Sequence, residues 1–195
     1  TGKVVANCHK LPASLFDRRR VGVDEMNRGW IPLIERLSNS NPELRIMFTV
    51  SPIRHLRDGA HENQLSKSVL LLFVDELCRM YPDRCIYFPS YEIVMDELRD
   101  YRFYDAGMTH PNEQAIRYIW ERFSEACFSE ETQTLNREWE RLEKALNHRP
   151  LTPDKDAFRD FTMQNLFKLK KIWEKYSYFD LSKEIDSLEL FLKTL

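Results

Sequence analysis

The sequence lacks the motifs by which several large classes of enzyme are recognised. It has five glycines in 195 residues, and it contains no P-loop, no GxGxxG dinucleotide motif, no GxSxG nucleophile elbow and no HExxH zinc motif. It also lacks an apolar run of the roughly 20 residues that a membrane-spanning helix needs. We therefore predict no membrane span, and any catalytic site must be built from other residues.

Cysteine is also sparse. The four cysteines are scattered, without a CxxC pair and without the histidine and cysteine spacing of a metal site (Cys8, Cys78, Cys85 and Cys127). Such thiols are typically buried and reduced, as in proteins of the cytosol. The sequence therefore predicts a cytoplasmic protein without a metal or another cofactor.

Neither sign of charge is in large excess. The formal net charge is -2 and the pI is near 6.2, so bulk charge attracts neither nucleic acid nor an anionic membrane. Hydrophobic residues make up 43% and charged residues 31% of the chain, which is an ordinary composition for a folded protein with a core. We therefore predict no nucleic-acid partner. The length of 195 residues suits one domain, or one domain with an appendage.

What the sequence does contain is centred on residues 45–67. Residues 45–50 form a short apolar, partly β-branched run that stops before Pro52, as a buried strand of a parallel sheet does. Residues 62–80 then show the apolar spacing of a helix. The loop between them holds Arg54, His55, Arg57, Asp58 and His61. Sites in open α/β sheets lie at this carboxyl edge, although a solvated loop with incidental charge is the alternative.

The same alternation continues along the chain. Residues 3–7 and 85–88 also resemble strands, and helices are predicted after Asp24 (with a kink or restart at Pro32) and after Asn112 as a cap. This pattern predicts an α/β domain over residues 1–128, with a parallel sheet and flanking helices. From residue 129 to residue 195 the pattern is helical, with one helix start at Thr152-Pro153, which predicts a C-terminal α-helical appendage.

His110 is the best-placed candidate for a general base. It lies directly before a proline and a capped helix, at the expected mouth of the sheet. A general base needs an acid to fix its tautomer, and Asp105, Asp100 and Glu92 are the nearby candidates. A plain surface or capping role is the alternative for a loop histidine of this kind.

The charged loop at residues 54–61 contains a second candidate for the general base. His61 follows Asp58 by three residues, which makes it the competing acid-histidine pair, although such spacing is common by chance. Arg54 and His55 are suited to binding an anion or orienting a substrate.

Five stretches resemble one known family: residues 4–12, 48–67, 87–92, 96–104 and the pair His110-Pro111. Together they resemble the GSCFA domain family from the start of the chain to about Phe128, and His148-Arg149-Pro150 fits the family's C-terminal region. The family resembles a branch of the SGNH (GDSL-like) hydrolases. That resemblance implies a flavodoxin-like α/β domain that cleaves ester bonds, often acyl groups on lipids or carbohydrates.

The resemblance also implies roles for individual residues. It implies a serine nucleophile in a Gly-Ser-Cys-Phe-Ala motif and a histidine in a late acid-x-x-His-Pro element, which His110 matches. The resemblance also implies an Asp where this chain has Gly107, so either Asp105 acts as the acid, which is the assignment we adopt, or the site works without one. As pocket or substrate-binding residues we place Asn7, His9, Arg54, His55, Asp58, His61 and Glu92.

The chain departs from the family pattern at its front, because it contains no Gly-Ser-Cys-Phe-Ala motif. We therefore expect the C-terminal portion of a longer protein, with an incomplete sheet that a missing N-terminal segment or a second copy completes. The predicted function is the C-terminal part of an acyl or acetyl esterase acting on a small-molecule or carbohydrate ester, inactive by itself. The alternative is a non-catalytic module on the same fold that binds a glycan or an anion.

Overall fold

The computed structural model describes residues 4–5, 11–147 and 155–194, and every structural statement below concerns that part of the chain. Two compact units divide it, Thr1–Phe123 and Ser124–Leu195. The described elements are α1 Val23–Ser40, β1 Ile46–Thr49, α2 Gly59–Met80, β2 Cys85–Phe88, α3 Ser90–Glu92 continuing as the π-helical Ile93–Leu98, α4 Glu113–Cys127, α5 Glu130–Leu146, α6 Lys155–Lys175 and α7 Ser182–Thr194. Single 3-10 turns cover Ala13–Leu15, Leu56–Asp58 and Tyr101–Phe103.

The strands β1 and β2 form a parallel pair, with Ile46 opposite Cys85 and Thr49 opposite Phe88. This confirms both strands that the apolar runs predict, and with them an α/β architecture. The predicted strand at residues 3–7 is not seen: Val4 and Val5 are described outside any strand, and the other three residues lie outside the described part of the chain. Among the described residues each strand pairs only with the other, so each keeps one open edge. The flavodoxin-like sheet stays a prediction.

The core of the first unit lies on the face of the sheet that α1 and α2 cover. Alternate strand residues point to that face, and there Cys85 joins Ile34 of α1 and Leu77 of α2, both fully buried. Trp30 packs edge-on against Phe48, with ring centroids 5.3 Å apart. The apolar faces of the two helices therefore hold the strand pair in place.

The starts of α4 and α2 and the interior of α1 can be compared with the predictions from the sequence. Asn112 caps α4 as predicted, since its Oδ1 accepts a hydrogen bond from the backbone N–H of Ala115 at 3.1 Å. Of the kink or restart predicted at Pro32, the restart does not occur, since α1 continues as one helix through that residue. Proline removes one backbone hydrogen bond, and Ile34, two residues later, is fully buried. α2 begins at Gly59, three residues earlier than its periodicity predicts.

The second unit contains the helices α5, α6 and α7 around a core of their own. Ser129 caps α5, accepting from the N–H of Thr132 at 3.2 Å, which confirms the predicted start of helical structure at that point. The core residues are Leu142, Leu169, Ile172, Tyr176, Leu181 and Ile185. The predicted helix start at Thr152-Pro153 lies outside the described residues. No helix in the described ranges combines the length and the apolar character that crossing a bilayer requires.

Candidate functional site

A closed loop before α4 positions His110. Tyr104 and Pro111 form an isolated antiparallel bridge, and the backbone N–H of Asp105 donates to the carbonyl of His110 at 2.8 Å. Within the loop, the N–H of Met108 donates to the carbonyl of Asp105 at 2.9 Å, and Met108 adopts a left-handed backbone with φ of 55°. The two ends of the loop are therefore pinned together, and His110 is held at its exit.

The Asp105 carboxylate faces one nitrogen of the His110 ring. Its Oδ2 lies 3.7 Å from His110 Nδ1, and its Oδ1 accepts from the backbone N–H groups of Thr109 at 3.3 Å and His110 at 3.4 Å. The Thr109 hydroxyl lies 2.9 Å from the same Nδ1. Both side chains are well exposed, 58% for His110 and 44% for Asp105. An acid beside Nδ1 favours the tautomer that leaves Nε2 free to accept a proton.

Gly107 lies directly beside that carboxylate. A Cβ atom built on Gly107 would be 3.5 Å from Asp105 Oδ1 and 3.8 Å from Oδ2. The Asp105 carboxylate thus occupies the space next to the position where the resemblance leads us to expect an aspartate. This geometry fits the expectation that Asp105 takes over the role, which stays a prediction.

Arg54 connects the loop after β1 to the His110 loop. Its backbone N–H donates to the carbonyl of Thr109 at 3.0 Å. Its guanidinium carbon lies 4.3 Å from the centre of the Tyr104 ring and 5.4 Å from that of Tyr101. Cation–π contacts of this kind fix an arginine without neutralising it. Arg54 is therefore held beside the His110 loop with its charge available.

A shallow cavity of about 170 Å³ opens next to Arg54. Arg99 also lines it, and so does Asp100, whose carboxylate accepts from the backbone N–H of Arg102 at 2.8 Å and lies 3.7 Å from the Arg102 guanidinium. The remaining lining residues are Val94, Met95, Tyr101 and Tyr104. This cavity therefore suits an electron-rich group. Two arginines and two aromatic rings line it, and its one acid already interacts with Arg102.

The other predicted pocket residues that the structure describes make no hydrogen bond or ion pair to His110. Asp58 pairs with Arg18 at 2.9 Å, and Glu92 accepts from the Tyr87 hydroxyl at 2.8 Å. The exposed side chains of His55, at the 3-10 turn, and His61, in the first turn of α2, make no hydrogen bond or ion pair to His110 within the described ranges. Asn7 and His9 lie outside the described residues. Of the predicted site residues that the structure describes, Arg54 and Asp105 are therefore the ones that contact the His110 loop.

A polar cluster at the carboxyl ends of the two strands was not predicted. The Thr49 hydroxyl lies 2.5 Å from that of Ser90, which in turn donates to the carbonyl of Val50 at 3.0 Å. Burial, together with the hydrogen bond to Glu92, raises the pKa of Tyr87 well above its ordinary value. The available signal was position alone, since Thr49 ends one strand and Ser90 follows the other by two residues.

In the described part of the chain, no serine contacts the His110 ring and no cluster of metal-binding side chains is present. Among the described residues the hydroxyl that contacts its ring belongs to Thr109, and no serine does. The buried Ser90 has already committed its proton to Val50. In the same part of the chain no group of three or more His, Cys, Asp or Glu side chains is placed to hold a metal ion.

Lys67 is a further residue that sequence analysis missed. It lies in α2 and is 3% exposed, and burial lowers the pKa of its ammonium group. In sequence it looks like an ordinary helical lysine, because nothing in the apolar spacing marks its position as buried.

The comparisons with known proteins identify two matching regions. A model described as the GSCFA family matches residues 1–123, and one described as the GSCFA domain protein, C-terminal domain, matches residues 139–194. No curated protein and no solved structure matches the chain. The first match begins at residue 1, and it lends no support to the expectation that the family's first segment is missing.

Proposed function

Because the chain belongs to the GSCFA family, we propose that its first unit supplies the histidine and the acid of an SGNH-type ester hydrolase, an acyl or acetyl esterase. The observation that carries the proposal is the Asp105 carboxylate 3.7 Å from His110 Nδ1, in a loop closed at both ends. In this role Nε2 of His110 takes the proton of the attacking hydroxyl, and Asp105 stabilises the resulting imidazolium. A positioned general base contributes about 10²–10⁴-fold to such a reaction.

The cavity beside Arg54 is where we place the substrate. Arg54 and Arg99 line it, and their guanidinium groups suit the oxygen-rich part of a small-molecule or carbohydrate ester. Tyr101 is 64% exposed and offers an aromatic face to a sugar ring. Arg54 connects this cavity to the base through its hydrogen bond to Thr109.

The proposal assigns no residue of this chain as the nucleophile. The sequence contains no Gly-Ser-Cys-Phe-Ala motif, and no described serine contacts His110. The test therefore begins with the natural protein as it exists in the cell, by intact mass and N-terminal sequencing. A fluorophosphonate probe for reactive serines and an acetyl-ester hydrolysis assay follow on that same protein.

The matched variants are His110→Ala and His61→Ala, both at exposed histidines of the first unit. We expect His110→Ala to reduce ester hydrolysis by at least about 10²-fold and to abolish fluorophosphonate labelling, while His61→Ala keeps both. Labelling and turnover that survive His110→Ala would refute the assignment of the base.

A second function is favoured by the arginine-lined cavity itself. A non-catalytic module that binds a glycan or an anion needs Arg54 and Arg99 but no serine, and Gly107 in place of an acid agrees with such a role. Here we expect an acetylated monosaccharide or inorganic phosphate to bind without turnover, measured by calorimetry, and Arg54→Gln to weaken binding at least tenfold. Binding equal in Arg54→Gln and in the surface control Arg57→Gln would exclude this alternative.

We also propose a reducing compartment, the cytoplasm, as the place of action. The support is the free state of Cys78, Cys85 and Cys127. Thiol titration of the natural protein without reductant tests it, since a disulfide at any of these positions would contradict the proposal.

A further inference from the structure

Thr109 precedes the proposed base in the sequence and contacts three parts of the site. Its backbone N–H donates to Asp105 Oδ1 at 3.3 Å, and its carbonyl accepts from the backbone N–H of Arg54 at 3.0 Å. Its hydroxyl lies 2.9 Å from His110 Nδ1. Every hydrogen-bonding group of Thr109 is therefore directed at the acid, the arginine or the base of the proposed site.

The distances to Nδ1 separate the role of the hydroxyl from that of the carboxylate. At 2.9 Å the Thr109 oxygen is within the range of a hydrogen bond, whereas Asp105 Oδ2, at 3.7 Å, is beyond it. The carboxylate therefore acts on the ring through its charge, and the hydroxyl is the group to which the ring bonds. Because the His110 side chain is 58% exposed, this hydrogen bond contributes more to the orientation of the ring than packing does.

The charge of Asp105 determines the direction of this hydrogen bond. A threonine hydroxyl can donate or accept, whereas a carboxylate only accepts. A Cβ atom built on Gly107 would be 3.5 Å from Asp105 Oδ1 and 3.6 Å from Thr109 Oγ1, so the two side chains border the same space. The carboxylate attracts the hydroxyl proton, which leaves a lone pair of Oγ1 facing the ring. Its charge also favours a proton on the nearby Nδ1 of His110.

We propose that Thr109 is a positioning residue whose hydroxyl accepts the Nδ1 proton of His110 and so keeps Nε2 free to act as the base. The proton stays on Nδ1 while Nε2 takes the proton of the attacking hydroxyl. The use of this contact rests on the proposed hydrolase function, although the hydrogen bond itself can be tested without any substrate.

The test measures which ring nitrogen of His110 carries the proton. The full chain is labelled with 15N, and the long-range couplings of its histidine rings are recorded by NMR at pH about 9, where an ordinary histidine is neutral. His61 is the reference, because its side chain is exposed and its ring bonds to no residue in the described ranges. We expect the ratio of Nδ1-protonated to Nε2-protonated ring to be about tenfold higher for His110, the factor that one hydrogen bond corresponds to. Equal ratios would overturn the proposal.

Two variants at the same position sharpen the test. Valine has nearly the shape of threonine without the hydroxyl, and serine keeps the hydroxyl. We expect Thr109→Val to lower the His110 ratio to that of His61, and Thr109→Ser to keep it. The matched control is Thr134→Val, which removes a half-buried hydroxyl from α5 and leaves the ratio unchanged. A ratio that is unaltered in Thr109→Val would assign the ring to Asp105 alone and refute the proposal. The comparison of the two histidines in the unaltered chain decides it even where a variant fails to fold.

Ester hydrolysis separates this inference from the function on which it rests. In the natural protein we expect Thr109→Val to lower kcat on an acetyl ester about tenfold with little change in KM, and Thr109→Ser to restore most of it. An active protein with the same kcat in Thr109→Val would overturn the positioning role. A natural protein without esterase activity would refute the proposed function instead, and the ratio of the two ring forms would still decide whether Thr109 holds the histidine.

Discussion

In the first unit the candidate acid and base lie in a loop before α4, whereas in the second unit the buried polar residue Asn165 lies inside a helix. His110 and Asp105 are exposed, and the backbone around them is fully tied into the loop. Asn165 is buried, and its Oδ1 has no hydrogen-bond partner among the residues that the structure describes. The difference is one of access: the loop of the first unit leaves its polar side chains open to solvent, whereas the second unit withdraws this side chain from it.

The largest expected effect tests whether the two units have separate cores. Leu77 and Leu169 are both fully buried, one in each unit. Truncation of a buried leucine to alanine costs about 2–5 kcal/mol, so we expect Leu169→Ala to unfold the second unit at lower urea and Leu77→Ala the first. NMR signals of each unit followed through a urea titration make the measurement. A single transition that moves equally in both variants would contradict separate cores.

The next effect concerns the acid of the candidate site. We expect Asp105→Asn to slow ester hydrolysis by the natural protein about 10²-fold, the lower end of the range for general-base catalysis, because the carboxylate is exposed. The measure is kcat/KM on an acetyl ester. Asp75→Asn, at an exposed acid of α2 that pairs with Arg79, serves as the control. Equal losses in the two variants would remove Asp105 from its role.

A smaller effect compares one helix cap from each unit. Asn112 and Ser129 both accept from a backbone N–H, and loss of such a cap costs about 1 kcal/mol. Asn112 also donates through its Nδ2 to the carbonyl of Arg102 at 2.5 Å, outside the helix, whereas the second contact of Ser129 is with the Thr132 hydroxyl at 3.0 Å, within the same helical turn. We therefore expect Asn112→Ala to cost more than Ser129→Ala in urea denaturation. The reverse order would show that the second contact contributes nothing.

The smallest effect depends on pH. Burial lowers the pKa of Lys67 below its ordinary 10.5, so the folded state holds this proton less tightly than the unfolded state does. Burial of the charged ammonium group therefore destabilises the folded state fully at pH values below the folded-state pKa. This destabilisation disappears as the pH rises towards the pKa of the unfolded state. We expect Lys67→Met to stabilise the protein by up to about 1 kcal/mol at pH 7, and by less at pH 10. A gain that is constant between these pH values would contradict a buried ammonium.

Local signals in the sequence predicted the two strands, the cap of α4 and the helical character after Ser129. Residues 45–50 and 85–88 are apolar runs that stop at proline, and Asn112 is a capping residue at the start of apolar periodicity. Such features depend on a few neighbouring residues. The apolar periodicity predicted the burial of single residues less reliably. Leu72 fits the helical spacing of α2, yet it is 60% exposed. Which face of α2 is covered depends on how α1 packs against it.

Contacts between residues that are distant in the sequence could not be predicted from such local signals. The hydroxyls of Thr49 and Ser90 meet only because the parallel register places Thr49 opposite Phe88. The contact of Arg54 with Tyr104 and the closeness of Gly107 to the Asp105 carboxylate likewise depend on how loops fold back. Asn165 gives no sequence signal at all, since a single asparagine in an amphipathic helix is common.

The hydrogen bond from Arg54 to Thr109 has a consequence for the order of folding. It joins residues 55 positions apart, and a contact of that span forms only after the entropy of closing a long loop has been overcome. The His110 loop therefore gains its final shape late, after the loop that follows β1 and carries Arg54 is in place. A nascent chain that has exposed only part of the first unit would present the histidine without its neighbours.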